Sequence, residues 1–292
     1  MNLNPMIKIA LQEDLGSGDV TTKLTVSPNI KGKAVITAKE NGVMAGGIVV
    51  EKIFKTIDKN IKYKQFVSEG TKFKKGEDVC KIEGKLCSIL QGERTALNFL
   101  SILSGIASLT NKFVEKVKPT KVKILDTRKT LPGLRELSKY AVKCGGGKNH
   151  RKGLWDMILI KDNHIEASGG IGKAIYKIQD TRCKMQDTRC KIQGTRLKTE
   201  IEVKNLSELK IALGSKIDRI MLDNMDVKGM REAVKLARKV NPKIELEASG
   251  GVNLENVYDI AKTGVDYISV GAITHSAKAI DFSLNVEMEK SK

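Results

Sequence analysis

The chain has 292 residues, 52 Lys and Arg against 34 Asp and Glu, a formal charge of +18 and 40% hydrophobic residues. That apolar fraction builds a core and excludes wholesale disorder, and no run approaches the roughly 18 continuous apolar residues of a membrane span. The charge admits a solvated basic surface, a nucleic-acid partner or a small anionic substrate, but only 4% of residues are aromatic, against the stacking platforms that nucleic-acid binding uses.

In chain order, Ile7 to Leu15 has helical apolar spacing and Ala34 to Ala38 reads as a short strand. The first fifteen residues include Glu13 and Asp14 and lack the layout of a secretion signal. Leu90, Ala96, Leu97, Leu100, Leu103, Ile106 and Ala107 predict a long, well-buried helix over 87–110, with Glu93 and Arg94 near its start. From Lys121 onward, short β-rich runs alternate with helical stretches: Val122–Leu125, Met157–Ile160, Ile201–Val203, Ile220–Leu222, Ile244–Leu246 and Tyr267–Val270. Amphipathic helices are predicted over Met230–Val240 and Glu255–Thr263. This alternation implies a parallel sheet. Six strands are clear, and the pattern suggests an incomplete β/α barrel; no GxGxxG supports the open, doubly wound alternative.

Residues 179–198 read QDTRCKM, QDTRCKI, QGTRLK, a seven-residue unit too short and too poor in apolar positions for a coiled coil. It reads as a low-complexity insertion in a surface loop or helix extension, carrying a net +4. The five cysteines are odd in number and form no CxxC, so neither a disulfide framework nor a structural zinc site is expected, and the expected compartment is the reducing cytoplasm.

Polar or glycine residues close nearly every strand, where a barrel forms its active-site rim. The segment 126–164 is the densest, with a net +5, Gly145-Gly146-Gly147, and two of the three histidines, His150 and His164. Glycine-rich backbone beside Arg and Lys suits a polyanion. Glu202 and Asp223, near other strand ends, suit Mg²⁺, ribose hydroxyls or simple pairing with lysines. Ser249-Gly250-Gly251 and Gly271-Ala272 each follow a strand, as the paired phosphate loops of β/α barrels do. His275 reads as a packing residue, Trp155 as core, and Cys144 lacks a base that would make it a nucleophile.

These stretches are recognisable together. EDLGSGDVTT (13–22), GVMAGG (42–47), ERTALNFLSILSGIAS (93–108), LDTRKT through IKDNHI (125–165), IEV (201–203), LDNM (222–225), EASGGVNLENV (247–257) and ISVGAITHSAKAIDFSL (268–284) follow one another in family order. The chain resembles the quinolinate phosphoribosyltransferases (decarboxylating), also called nicotinate-nucleotide pyrophosphorylases. The resemblance implies an α/β protein: an N-terminal α/β sandwich domain over 1–110, a partial, seven-stranded β/α barrel over 111–275 with the repeat inserted at about 179–198, and a C-terminal tail, 276–292, packing back on the N-terminal domain.

It implies transfer of phosphoribosyl from phosphoribosyl pyrophosphate to quinolinate, giving nicotinate mononucleotide, pyrophosphate and CO₂ on the route to NAD. Mg²⁺ accompanies the pyrophosphate. Thr127, Arg128, His150, Arg151 and Lys161 would line the quinolinate pocket, with Lys129 and Lys161 near the pyrophosphate. Arg94 would be donated across a homodimer interface, whether or not dimers assemble further. Glu202 and Asp223 would contact ribose hydroxyls and metal, the latter mostly through the substrate's pyrophosphate. Together with Lys129 and Lys161 they form the expected catalytic set, and Ser249, Gly250, Gly251, Gly271 and Ala272 would hold the 5′-phosphate. No nucleic-acid or membrane partner is expected. The alternative is a molybdenum-transport-associated paralogue of the same fold with a different substrate.

Overall fold

The computed structural model describes residues 3–184, 191–192 and 195–288. Internal contacts divide the chain into two units: Met1–Asn111, Thr130–Gly146 and Ile273–Lys292 form one, and Lys112–Lys129 with Gly147–Ala272 the other.

The first unit opens with α1 (Asn4–Leu15), which has Pro5 in its first turn, and α2 (Val20–Thr25), whose N-cap Asp19 accepts from the Thr22 amide at 2.9 Å. There follow β1 (Lys31–Ala38), β2 (Gly42–Val43), α3 (Gly47–Ile57), β3 (Lys62–Gln65), β4 (Lys72–Phe73), β5 (Asp78–Lys85) and α4 (Leu86–Val117). β1 alternates strictly: Gly32, Ala34, Ile36 and Ala38 face inward while their neighbours face out. The helix predicted over 87–110 is α4, 32 residues long. Its Ser108 hydroxyl accepts from the Val43 amide at 2.8 Å and its Ser104 hydroxyl donates to the Ala45 carbonyl at 3.1 Å, which pins the GVMAGG turn to the helix.

Residues 130–146, expected within the barrel, group instead with this first unit. They hold α5 (Arg135–Cys144), which buries Leu137, Ala141 and Val142. Leu134 and Leu137 share a cavity wall with Phe99 and Ile102 of α4, and a Cβ at Gly145 would lie 2.4 Å from the Ala107 carbonyl. The basic loop is therefore anchored by apolar contact at the start of its helix and by close backbone approach at its end, which its charge pattern concealed.

The second unit contains β6 (Lys123–Leu125), β7 (Ile158–Ile160), α6 (Asp162–Ser168) and α7 (Ile171–Lys184). Two short paired strands, β8 (Lys191–Ile192) and β9 (Thr195–Arg196), fall within the repeat. Then come β10 (Thr199–Val203), α8 (Leu206–Leu213), β11 (Arg219–Asp223), α9 (Val227–Val240), β12 (Glu245–Ser249), α10 (Val257–Ala261) and β13 (Tyr267–Ser269). Six strands form one parallel sheet in the order β6-β13-β12-β11-β10-β7. A parallel bridge between Leu125 and Lys148 supplies a seventh position, so the expected partial barrel is present. Helices follow strands because side chains there cap them: Asn205 accepts from the Glu208 amide and Asp226 from the Gly229 amide. The first repeat unit continues α7 to Lys184, and the rest of the predicted insertion at 185–190 and 193–194 lies outside the described residues.

The chain closes with α11 (Ala272–His275) and β14 (Phe282–Met288). β14 pairs antiparallel with β1 from Gly32↔Met288 to Ala38↔Phe282, in a sheet of order β14-β1-β5-β3. Trp155, read as core, is 65% exposed; it sits in an irregular loop with its ring over Gly153, where a Cβ would be 1.9 Å away. Among the described residues no helix is long and apolar enough to cross a membrane.

Gly105 tests the packing of α4. A Cβ there would lie 2.2 Å from the Lys278 carbonyl, on backbone that cannot swing aside. Gly105→Ala is expected to destabilise the protein by about 1–3 kcal/mol despite the better helix propensity of alanine. Thermal unfolding measures it, and an unchanged or raised melting temperature would contradict the packing.

Candidate active site on the parallel barrel

The barrel strands have two unlike faces. Ile201, Val203, Ile220, Leu222, Leu246, Ala248 and Ile268 are buried on one of them. The alternate positions carry Glu200 and Glu202, Arg219 and Asp223, and Glu245, Glu247 and Ser249. These side chains meet across strands. The Arg219 guanidinium bonds Glu245 at 2.9 Å and Glu247 at 3.0 Å, and stacks 4.0 Å above the Tyr267 ring. His150 Nε2 is 2.9 Å from Glu200 and 3.5 Å from Glu247. Lys198 joins Glu245 from the outer end at 3.2 Å.

Burial pushes the Glu200 carboxyl up to about 7, eased by Arg219. Burial, then the charge of Glu200, pushes Glu247 up to about 8. Near neutrality the pair therefore retains a proton, as close carboxylates do. Ligand atoms of His150, Glu200 and Glu247 lie within 4.8 Å of one another, near enough for a metal. The imidazole and the Arg219 guanidinium engage one oxygen of each carboxylate, while Glu200 Oε1 and Glu247 Oε1 are buried without a hydrogen-bond partner among the described residues.

One pleat further along, at the carboxyl ends of the strands, lies the rim. Lys161 Nζ contacts Glu202 Oε1 directly. Lys161 also precedes α6, its amide donating to His164 Nδ1 at 3.0 Å. Asp223 Oδ2 accepts from the Asn224 side-chain amide at 2.9 Å, and the Asn224 backbone amide donates to the Ser249 carbonyl at 2.9 Å. Asn224 has φ 53°, the left-handed region, which asparagine tolerates better than most residues. Gly250, φ 95°, accommodates it: a Cβ there would lie 2.1 Å from Asn224 Oδ1. Glu202, Asp223, Ser249, Gly250 and Gly251 thus share one rim, and Gly271 and Ala272 follow β13 on the same sheet.

The basic part of the rim follows β6. The Thr127 hydroxyl accepts from the Lys129 amide at 3.1 Å. Arg128 Nε is buried with no hydrogen-bond partner among the described residues. Arg151, 7% exposed, donates to the Met157 carbonyl at 3.4 Å. Burial and then the neighbouring Arg128 charge hold the Arg151 guanidinium below its usual range. Asp126, fully buried, accepts from the His150 amide at 2.8 Å. The His150 side chain is itself 6% exposed. Arg94 is exposed on α4 of the first unit.

Glu200, Glu247, Arg219 and Asn224 were missing from the expected site. Glu200 and Glu247 had a signal: acids at every second position of apolar runs, T-E-I-E-V and E-L-E-A-S, which in a strand share a face; Arg219 had none. Asn224 had none beyond its place after a strand.

Two family models match the chain, the quinolinate phosphoribosyl transferase N-terminal domain over residues 19–104 and the C-terminal domain over 106–285. The chain belongs to the quinolinate phosphoribosyltransferase family. It is 42% identical over 304 residues to the mitochondrial quinolinate phosphoribosyltransferase [decarboxylating] 2b of Nicotiana tabacum, covering 99% of this chain and 83% of that protein. Among solved structures it is similar to the nicotinate-nucleotide pyrophosphorylase of Francisella tularensis (41% identity, TM-score 0.87, 97% and 95% of the two chains). It is likewise similar to NadC of Streptococcus pyogenes (35% identity, TM-score 0.90, 99% and 97%).

This family member should show its buried carboxyl pair in its pH-dependent stability. Both groups are raised above the usual 4.5, so the unfolded chain releases these protons first and the pair's contribution to stability falls from pH 4.5 to about 8. Glu247→Gln removes one titrating group. Its melting temperature relative to wild type is expected to rise between about pH 5 and pH 8. Parallel curves would show that the pair does not titrate as its burial dictates.

Proposed function

We infer that this chain is the pentosyltransferase that its family implies: it transfers phosphoribosyl from phosphoribosyl pyrophosphate to quinolinate, with loss of CO₂, to form nicotinate mononucleotide for NAD synthesis. The observation that carries this reading is the guanidinium pair. Arg128 and Arg151 are crowded together against their mutual repulsion, and Arg128 keeps a buried donor unpartnered. A dicarboxylate supplies negative charge to this pair and an acceptor for the Arg128 Nε–H. The molybdenum-associated alternative is not favoured by relatives named for the quinolinate reaction.

Quinolinate would dock its carboxylates on Arg128 and Arg151, with Thr127 and Lys161 beside them. Lys129 and Lys161 would face the pyrophosphate, and the Ser249–Gly251 and Gly271–Ala272 backbone would hold the 5′-phosphate. As the bond to pyrophosphate breaks, the ribose carbon becomes oxocarbenium-like, and Glu202 and Asp223 stabilise that charge. The ring nitrogen supplies its own electron pair, so no base is needed where the new bond forms. The resulting pyridinium draws in the electron pair released as CO₂ departs, and the ring carbon takes a proton in its place. The site is therefore a clamp, and its contribution is orientation and charge.

Glu202 and Asp223 each have one oxygen engaged, with Lys161 and Asn224 respectively. Such hard oxygen donors suit Mg²⁺, which takes one or two carboxylates together with phosphate oxygens. When bound, Mg²⁺ would neutralise charge building on the departing pyrophosphate. Arg94 would complete the quinolinate pocket of a second subunit in a homodimer.

Purified protein with Mg²⁺, quinolinate and phosphoribosyl pyrophosphate is expected to form nicotinate mononucleotide, read by chromatography; no product overturns the assignment. Arg128→Ala is expected to raise the KM for quinolinate by at least about tenfold, with the KM for phosphoribosyl pyrophosphate nearly unchanged. Equal effects on both substrates would remove Arg128 from the dicarboxylate site.

A further inference from the structure

The carboxylates inside the barrel do not reach the rim, yet one residue links them to it. His150 Nδ1 accepts the Arg151 backbone N–H at 2.7 Å. A nitrogen that accepts carries no proton, so the ring proton is on Nε2, which donates to Glu200 at 2.9 Å. Both ring nitrogens are thereby used within the chain, and the side chain is 6% exposed. Arg219 holds Glu247 at 3.0 Å, and Glu247 lies 3.5 Å from the same imidazole nitrogen.

We propose that Glu200, Glu247 and Arg219 are positioning residues for the dicarboxylate site: they lock the His150 imidazole from inside the barrel, and His150 in turn fixes the Arg151 backbone and so the place where its guanidinium stands beside Arg128. The inference rests on the quinolinate reading for its kinetic consequence, while its geometry stands apart from it. A carboxylate that orients an imidazole fixes its tautomer and ring angle, and losing that partner releases both. Loosening Arg151 affects the ligand that Arg151 holds and leaves the ribose and phosphate contacts in place.

The test compares Glu200→Ala with Glu200→Gln in the full chain. Glu200→Ala is expected to raise the KM for quinolinate about tenfold or more, with kcat and the KM for phosphoribosyl pyrophosphate within about threefold of wild type. Glu200→Gln keeps an acceptor for Nε2–H and is expected to return the quinolinate KM close to wild type. Unchanged kinetics in Glu200→Ala, or an even loss in kcat and both KM values that glutamine does not rescue, overturns the proposal.

A second measurement does not depend on activity or on the variants folding. With only three histidines in the chain, side-chain ¹⁵N NMR of the unliganded wild type can assign His150. Protonated Nε2 with bare Nδ1 supports the lock, and a protonated Nδ1 overturns it. Wild-type protein inactive with quinolinate but showing the Nε2–H tautomer would refute the functional reading and leave the lock standing.

Discussion

Charges placed inside a barrel must be answered by other charges inside the barrel, because removing an ion from water costs several kcal/mol and no solvent is there to repay it. In this protein Arg219 is the centre of that compensation. It spans Glu245 and Glu247, rests on the Tyr267 ring, and through Glu247 reaches the neighbourhood of Glu200 and His150. A barrel interior is more often filled with branched aliphatic side chains. Here most aliphatic residues of the central strands are on the other face, and the interior combines Leu125, Leu159 and Met221 with an ionic network.

The same strands deliver stability and chemistry two residues apart. Glu200 belongs to the buried network and Glu202 to the rim; Glu247 is buried and Ser249 begins the glycine loop at the rim. Successive same-face positions on a strand are about 7 Å apart, so the rim residues are positioned by an ordered layer directly beneath them. That arrangement suits a reaction whose demand is orientation. A site that clamps two anions needs guanidinium and amide groups in place before substrate arrives, and each is tied to a strand end, a capped helix or a buried acid.

The +18 charge has separable origins. The segment 126–164 gathers Arg128, Lys129, Arg151 and Lys161 around the strand ends, where the proposed reading places two anionic substrates. The repeat segment adds six Lys and Arg against two Asp. The remaining lysine excess decorates the surface in short pairs such as Lys55 with Glu51 and Lys262 with Asp259, contacts of small energetic weight.

The sequence by itself determined the alternation of strands and helices, the six parallel strands to within a residue or two, the long helix α4 and the strand-end positions of Arg128, Lys161, Glu202, Asp223 and the two glycine loops, because period-two and helical apolar spacing and strand-closing polar residues are local signals. The family motifs carried the expected chemistry. Tertiary structure alone decided the rest. It put 130–146 with the first unit, since the apolar contacts of α5 are with residues distant in sequence. It exposed Trp155, since a loop residue's burial depends on what crosses it. It turned the His150 ring inward, and it placed Glu200, Glu247 and Arg219 in one network. Acids and an arginine some 20 to 50 positions apart become partners only when parallel strands are set in register, and no local pattern encodes that register.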